Sequence, residues 1–289
     1  MQSKSENAVS ASGSALTNAA ILLTLTLVTM LYAMTVTIAN VSLPQIKGAL
    51  SATTDEIALI ITFNIIATAV ATPMTGWLST RFGRRNTLVW AVIGFTVSSF
   101  LCGTATSLEQ LVFYRFLQGA CGAPLPPLCQ AIVVDAYPKE KIGQANAIFG
   151  MGVVLGPILA PTLGGYLSET YSWRWVFYMM VPCGLASLIG VLIFISSHVA
   201  DKRADLDWTG FISLAVAIAA FQFMLDRGER LDWLDNWQIV ACAIAAVTGL
   251  YIFITHSLTS DRPFLNPRLL LKRNYALGLL IAFIFGLLN

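Results

Sequence analysis

Charge is scarce in this sequence. Only 11% of its 289 residues are Asp, Glu, Lys or Arg, against 56% hydrophobic, whereas soluble globular chains carry about 25% charged residues. The shortage is concentrated: Ala19–Leu43, Ile57–Thr80 and Asn86–Leu108 hold no charged residue at all. Each is longer than the ~20 apolar residues an α-helix needs to cross a hydrocarbon layer of ~30 Å, which excludes an ordinary soluble domain. Histidine is nearly absent, and the five cysteines show neither metal-ligand spacing nor a secreted disulfide pattern. Cys102, Cys121, Cys129, Cys183 and Cys242 therefore read as small packing residues. His198 and His256 fall at span ends without companion ligands. No His-Glu-x-x-His, no Gly-x-Ser-x-Gly and no His/Asp cluster sits at depth. An enzyme is not expected, nor a metal, a cofactor or a nucleic-acid partner.

What is present is hydrophobic length. Further apolar runs cover about Gln110–Val134, Ile142–Ser168, Trp175–Ser197, Trp208–Leu225, Gln238–Thr255 and Asn274–Asn289, making nine candidate membrane helices in all. The last is short for a span. The expected fold class is an all-α polytopic membrane protein. With a cytoplasmic amino terminus and alternating sides, inner segments hold Lys4, Arg81, Arg84, Arg85, Lys139, Lys141, Lys202, Arg203, Arg262, Arg268, Lys272 and Arg273. Outer segments hold only Lys47, Arg174, Arg227 and Arg230. Twelve cations against four is the positive-inside bias.

The organisation follows. Residues 1–18 are a polar cytoplasmic tail, 19–197 a six-helix unit, 198–207 a charged cytoplasmic linker and 208–257 a helical pair. Residues 258–289 are a cytoplasmic loop and the start of a further helix; the chain looks like the front part of a longer protein. "PMTGWLS" (Pro73–Ser79) and "PTLGGYLS" (Pro161–Ser168) end the second and fifth spans on opposite faces, as two inverted three-helix repeats would.

One cation remains inside a span. In "YRFLQGACGA" (Tyr114–Ala123) and the residues that follow it, Arg115, Gln118, Gly119, Gly122, Pro126, Cys129 and Gln130 lie within ~60° of one line on a helix. Such a polar stripe faces protein or a water-filled cavity, because an arginine at depth costs roughly 2.5–3.5 kcal/mol even on the mild insertion scale. Snorkelling to the outer interface is the competing reading. "GWLSTRFGRR", Gly76–Arg85, is a glycine-bearing basic loop in which glycines allow tight turns and arginines can clasp helix ends. In "GMGVVLGPILAPTLGG", Gly150–Gly165, Gly152 and Gly156 form a close-packing face, and Pro157 and Pro161 are expected to deform the helix.

These three stretches resemble the major facilitator superfamily. Gly76, Leu78, Arg81, Gly83, Arg84 and Arg85 match its loop between the second and third helices, with Thr80 where Asp is usual. Arg115, Gln118 and Gly119 match its fourth-helix motif. Pro161, Gly164 and Gly165, with Ala160 for a Gly, match its fifth-helix antiporter signature. "TVTIANVSLP" resembles the first helix of the fourteen-helix drug:proton antiporter branch through Thr37, Asn40 and Pro44; Thr35 stands where that branch carries Asp. "LDRGERLDW" resembles the outer loop of its two extra central helices. The resemblance implies a major-facilitator six-helix amino-terminal bundle, two extra helices and the start of a ninth. It implies an exporter of amphiphilic organic compounds, driven by the proton gradient. The cavity and coupling residues would be Arg115, Gln118, Thr37, Asn40 and Thr35, with Gly76–Arg85 steadying one gate. In the bilayer of a bacterial inner membrane, such a permease works with a periplasmic adaptor and an outer-membrane channel. A non-transporting sensor or assembly subunit that kept the fold is the alternative. No Asp or Glu lies deep in a span, so the proton carrier is sought beyond Asn289, at Asp135 or Asp226, or in a different coupling.

Overall fold

A computed structural model describes residues 2–196, 205–260 and 263–288, and its regular elements are all helices. Among the described residues, eight helical segments are long and apolar enough to cross a membrane, and Arg273–Ile284 is a shorter apolar helix. His198, Lys202, Arg203 and Arg262, placed at the inner side from the sequence, lie outside the described residues. The chain divides into two compact units, Met1–Ala204 and Asp205–Asn289.

In the first unit, α1 (Gln2–Ala49) supplies the first span, Leu16–Ala49. Its helix extends back through the polar residues read from the sequence as a tail. The second span is α2 (Thr54–Ala71) followed by α3 (Met74–Phe82), and the third is α4 (Arg84–Thr104). The fourth is α5 (Leu108–Gly122) followed by α6 (Leu125–Ala136), and the fifth is α7 (Ile142–Thr170). The sixth is α8 (Arg174–Tyr178) followed by α9 (Met180–Phe194). The bundle end carrying the turns near residues 51, 106 and 172 is here called outer, and the end carrying Gly83 and residues 138–141 inner.

Helix starts follow from local chemistry. At α2, Thr53 Oγ1 accepts from Glu56 N at 3.2 Å, and Glu56 Oε2 accepts from Thr53 N at 2.8 Å, a reciprocal capping box. Ser107 Oγ accepts from Gln110 N at 3.3 Å to open α5. Breaks follow proline. Pro73 and Pro124 have no N–H to donate one turn back, and the chain passes through turns at residues 72–73 and 123–124. Pro157 and Pro161, expected to deform the fifth span, sit inside α7, whose helix runs on through both. They lie on its half-buried and exposed sides, away from the packed glycine face.

Packing sets which spans are neighbours: α1 lies against α7, α9 and α6; α5 lies against both α2 and α4; α4 also packs on α9. One apolar core runs through Leu25, Leu31, Ile38, Phe95, Leu128 and Val176. A smaller one at the outer end gathers Ile46, Ile60, Cys102, Leu111, Trp173 and Phe177. The outward faces are apolar too, with Leu23, Trp90, Met151 and Ile193 all exposed, as a helix surface bathed in lipid requires.

The second unit pairs α10 (Trp208–Arg227) with α11 (Trp237–Thr259), followed by α12 (Arg273–Leu288). Asp207 caps α10 by accepting from Gly210 N at 3.0 Å. The same carboxylate accepts from Phe264 N at 3.0 Å and meets His256 Nε2 at 2.8 Å. His256, read as a solvated interfacial residue, therefore has a carboxylate partner. Burial alone would raise the Asp207 carboxyl. The N–H groups of Gly210 and Phe264, with His256, outweigh it and hold the carboxyl below its ordinary range.

Candidate functional site

Arg115 is the one charged side chain among the buried described residues, 1% exposed, on α5. Its Nη1 donates to Gln118 Oε1 at 2.6 Å, one turn along the same helix. Gln118 Nε2 donates to Ser99 Oγ on α4 at 2.7 Å, and Ser99 Oγ donates to Phe95 O at 2.7 Å. The direction of every hydrogen is forced: a guanidinium only donates, so the Gln118 oxygen must face it and the amide NH2 must face Ser99. The guanidinium also stands 5.8 Å from the centre of the Phe177 ring. Its Nε is buried without an acceptor. Among the described residues no carboxylate comes within ion-pair reach of it. Arg115 is enclosed by the bundle rather than snorkelled to the outer interface.

Asn64 and Thr68 of α2 grip the backbone beside it. Asn64 Nδ2 donates to Arg115 O at 2.7 Å, and Thr68 Oγ1 donates to Gly119 O at 3.3 Å. The helices approach so closely that a Cβ on Gly119 would collide with the Asn64 carbonyl. Ser99, Asn64 and Thr68 were missed by motif reasoning. The available signal was an amide or hydroxyl within an apolar run, where each polar group needs a partner.

The other first-helix candidates do not join this cluster. Thr35 is buried, donating to Leu31 O at 3.0 Å beside Met180 Sδ at 3.9 Å. Thr37 is half-buried and Asn40 exposed. Gly152, Gly156 and Gly164 lie against α1 at Thr26, Met30 and Ile38, whereas Gly165 faces open space.

At the inner end, Gly83 takes a φ of 83°, a left-handed value that favours glycine, and so turns α3 directly into α4. Arg81 sits in the last turn of α3, where helix carbonyls favour a cation. Arg84 and Arg85 occupy the first turn of α4, which has no acidic residue of its own and where the dipole disfavours them. Asp135 of α6 supplies the missing negative charge through an ion pair with Arg84. Arg85 Nη2 donates to Leu192 O of α9 at 2.9 Å. Arg84, Arg85 and Asp135, with Ile21, Ile132 and Phe194, line a cavity of about 160 Å³. Gly76 is exposed on α3, its carbonyl accepting from Ser79 and Thr80 hydroxyls at 2.8 and 3.0 Å.

The Major Facilitator Superfamily family model matches residues 25–289. The chain belongs to that superfamily. It is 36% identical over 257 residues to the multidrug export protein EmrB of Escherichia coli, covering 89% of this chain and 50% of that protein. It is 38% identical over 259 residues to the EmrB of Haemophilus influenzae, covering 89% and 51%. It is 38% identical over 243 residues to the fatty acid resistance protein FarB of Neisseria gonorrhoeae, covering 84% and 48%. The chain thus spans about half the length of the curated relatives it matches. Among solved structures, the D-xylose–proton symporter aligns at TM-score 0.52 with 14% identity, over 83% of this chain and 67% of that one. The POT family transporter PepTSo aligns at 0.56 with 14% identity, over 83% and 53%. At such identities the likeness speaks for the fold.

Proposed function

We propose that this superfamily member is, or forms part of, an exporter of amphiphilic organic compounds. It works by proton antiport and alternating access, with its amino terminus in the cytoplasm of a bacterial cell. Arg115 carries the reading: a fully buried guanidinium with an unused donor and no carboxylate partner among the described residues. Keeping such a charge dry is costly, which suits a group whose counter-charge arrives during the cycle. Gln118 orients it, Thr37 and Asn40 border the substrate path, and the Gly76–Arg85 loop steadies the inner gate. Relatives named for multidrug export and fatty acid resistance support an amphiphilic substrate. A periplasmic adaptor and an outer-membrane channel complete the export route, and the proton gradient replaces any bound cofactor.

The test is Arg115→Ala and Arg115→Lys in the native protein, scored by drug resistance and by protein level in the membrane. Arg115→Ala should reduce resistance to that of cells lacking the protein at unchanged membrane level; Arg115→Lys should recover some of it. Full resistance in Arg115→Ala would sink the proposal. The alternative, a sensor or assembly subunit retaining the fold, draws on the absence of a buried carboxylate among the described residues. Substrate flux in reconstituted vesicles separates the two.

A further inference from the structure

The second and fourth spans break at the same level. α2 ends at Ala71 and α5 at Gly122; Pro73 and Pro124 follow; α3 starts at Met74 and α6 at Leu125. Each pair is separated by the same 51 residues that separate the hydrogen-bonded partners Asn64 and Arg115, and Thr68 and Gly119. The two spans are therefore parallel and in register, pinned by two rungs immediately outside the breaks. Inside the breaks, α3 touches α6, and the Arg84–Asp135 ion pair ties the end of α6 to the residue that starts α4.

Backbone chemistry makes both levels pliable. Pro73 leaves Ala69 O without its helical donor, and Pro124, Pro126 and Pro127 do the same to Ala120, Gly122 and Ala123. A helix bends most readily where such bonds are missing. The rungs resist the competing motion, in which one span slides past the other. Asn64 donates to the carbonyl of Arg115 itself, and Gly119 admits the α2 backbone so closely that a one-residue slip would drive a side chain into it.

We infer that α2–α3 and α5–α6 form a paired hinge, in which the inner segments α3 and α6 swing as one body and Asn64 is the positioning residue that holds the register. This rests on reading the unit as a gated transporter half. It adds that Arg115 stays fixed to the outer side of the hinge while the basic loop moves on the inner side.

The experiment uses the native protein in proteoliposomes, with native cysteines replaced and spin labels at Thr80 on α3, Val134 on α6 and Glu109 at the outer end of α5. Distances and transport are measured on the same preparations, with and without tetraphenylphosphonium and an imposed pH difference. The paired hinge requires both distances from Glu109 to shift together between conditions while the Thr80–Val134 distance keeps one narrow distribution. Asn64→Leu, which keeps nearly the same size and removes the donor, should broaden that distribution; Thr68→Val is the milder version should the first fail to fold. A Thr80–Val134 distance that changes between conditions overturns the pairing and leaves the exporter reading standing. Transport with all three distances fixed overturns the hinge. Absence of both transport and movement overturns the exporter reading and the hinge with it. A Thr80–Val134 distribution left narrow by Asn64→Leu and by Thr68→Val removes the register role from this seam.

Discussion

Along the contact between α1 and α7, glycines do the work: Gly152, Gly156 and Gly164 admit Thr26, Met30 and Ile38, and Ala160 and Ser168 continue the same four-residue spacing in buried positions. Along the contact between α2 and α5, side-chain donors reach across to backbone carbonyls at Arg115 and Gly119. Both seams are close, yet they respond differently to force. Dispersion between smooth small-residue faces varies gently as helices shift, whereas a hydrogen bond is lost within about an ångström of displacement. In lipid a lost bond leaves a bare carbonyl without water to satisfy it. The α1–α7 seam sets proximity; the α2–α5 seam sets register.

The largest effect is expected from filling the glycine seam. A Cβ at Gly156 would lie 2.7 Å from the Met30 carbonyl, so Gly156→Leu must push the α1 and α7 main chains apart. Overpacking costs about 1–3 kcal/mol and more when backbone has to move. Folded protein recovered from membranes, read by gel filtration of a tagged form, should fall steeply. A Cβ at Gly165 in the same motif meets nothing within 4 Å, and Gly165→Leu should be recovered normally. Equal losses in both would show that the seam is not what the motif protects.

Next comes the second unit, whose α10–α11 contact also runs over a glycine, with a Gly249 Cβ falling 2.9 Å from Ser213 O. The end that carries Asp207 is fastened by a charge instead. The lowered Asp207 pKa means that this stabilisation is full above the ordinary carboxyl pKa of ~3.9 and disappears as pH falls through the lower folded value. Asp207→Asn should cost about 2 kcal/mol near neutral pH, as loss of hydrogen bonds to a charged group does. It should also flatten the acid side of the unfolding profile measured between about pH 7 and about pH 3. A wild-type and mutant pair with the same acid slope would refute the assignment.

A smaller effect is expected at the polar seam. Interhelical hydrogen bonds in membranes are worth about 0.6 kcal/mol on average and about 1.7 at most. Asn64→Ala should therefore lower stability in detergent unfolding by roughly 1 kcal/mol, while its effect on transport is disproportionately large. A mutant that loses stability and transport in equal measure would reduce Asn64 to a packing residue.

Much of this was legible in the sequence because lipid imposes one rule, that long uncharged runs become helices. The gaps between charges placed nine candidates, of which eight are spans among the described residues and the ninth is the shorter apolar helix Arg273–Ile284; four-residue glycine spacing marked the face of α7. Arg115 was visible as a cation out of place, and Gln118 as its neighbour one turn on. Its surroundings were not, because Ser99, Asn64 and Phe177 come from other spans, and pairing between spans is a tertiary fact. The interruptions in the spans fell at residues 72–73 and 123–124, beside Pro73 and Pro124, while Pro157 and Pro161 lie within a continuous α7. His256 looked solvated because Asp207, its partner, lies 49 residues away.

The smallest effect is expected from the ion pair at the inner end. Arg84 and Asp135 keep 41% and 47% of their side chains exposed, so water and salt screen the attraction, and exposed pairs contribute about 0.2–1 kcal/mol. A double-mutant cycle with Arg84→Ala and Asp135→Ala should give a coupling within that range, shrinking as salt is added. The single changes need not be equal. Arg84→Ala also removes a cation from the unfavourable first turn of α4, whereas Asp135→Ala leaves Arg84 and Arg85 there without compensation. Asp135→Ala should therefore be the more damaging of the two. The reverse order would mean that the pair is not balancing the helix dipole, and that Arg84 serves a partner of its own.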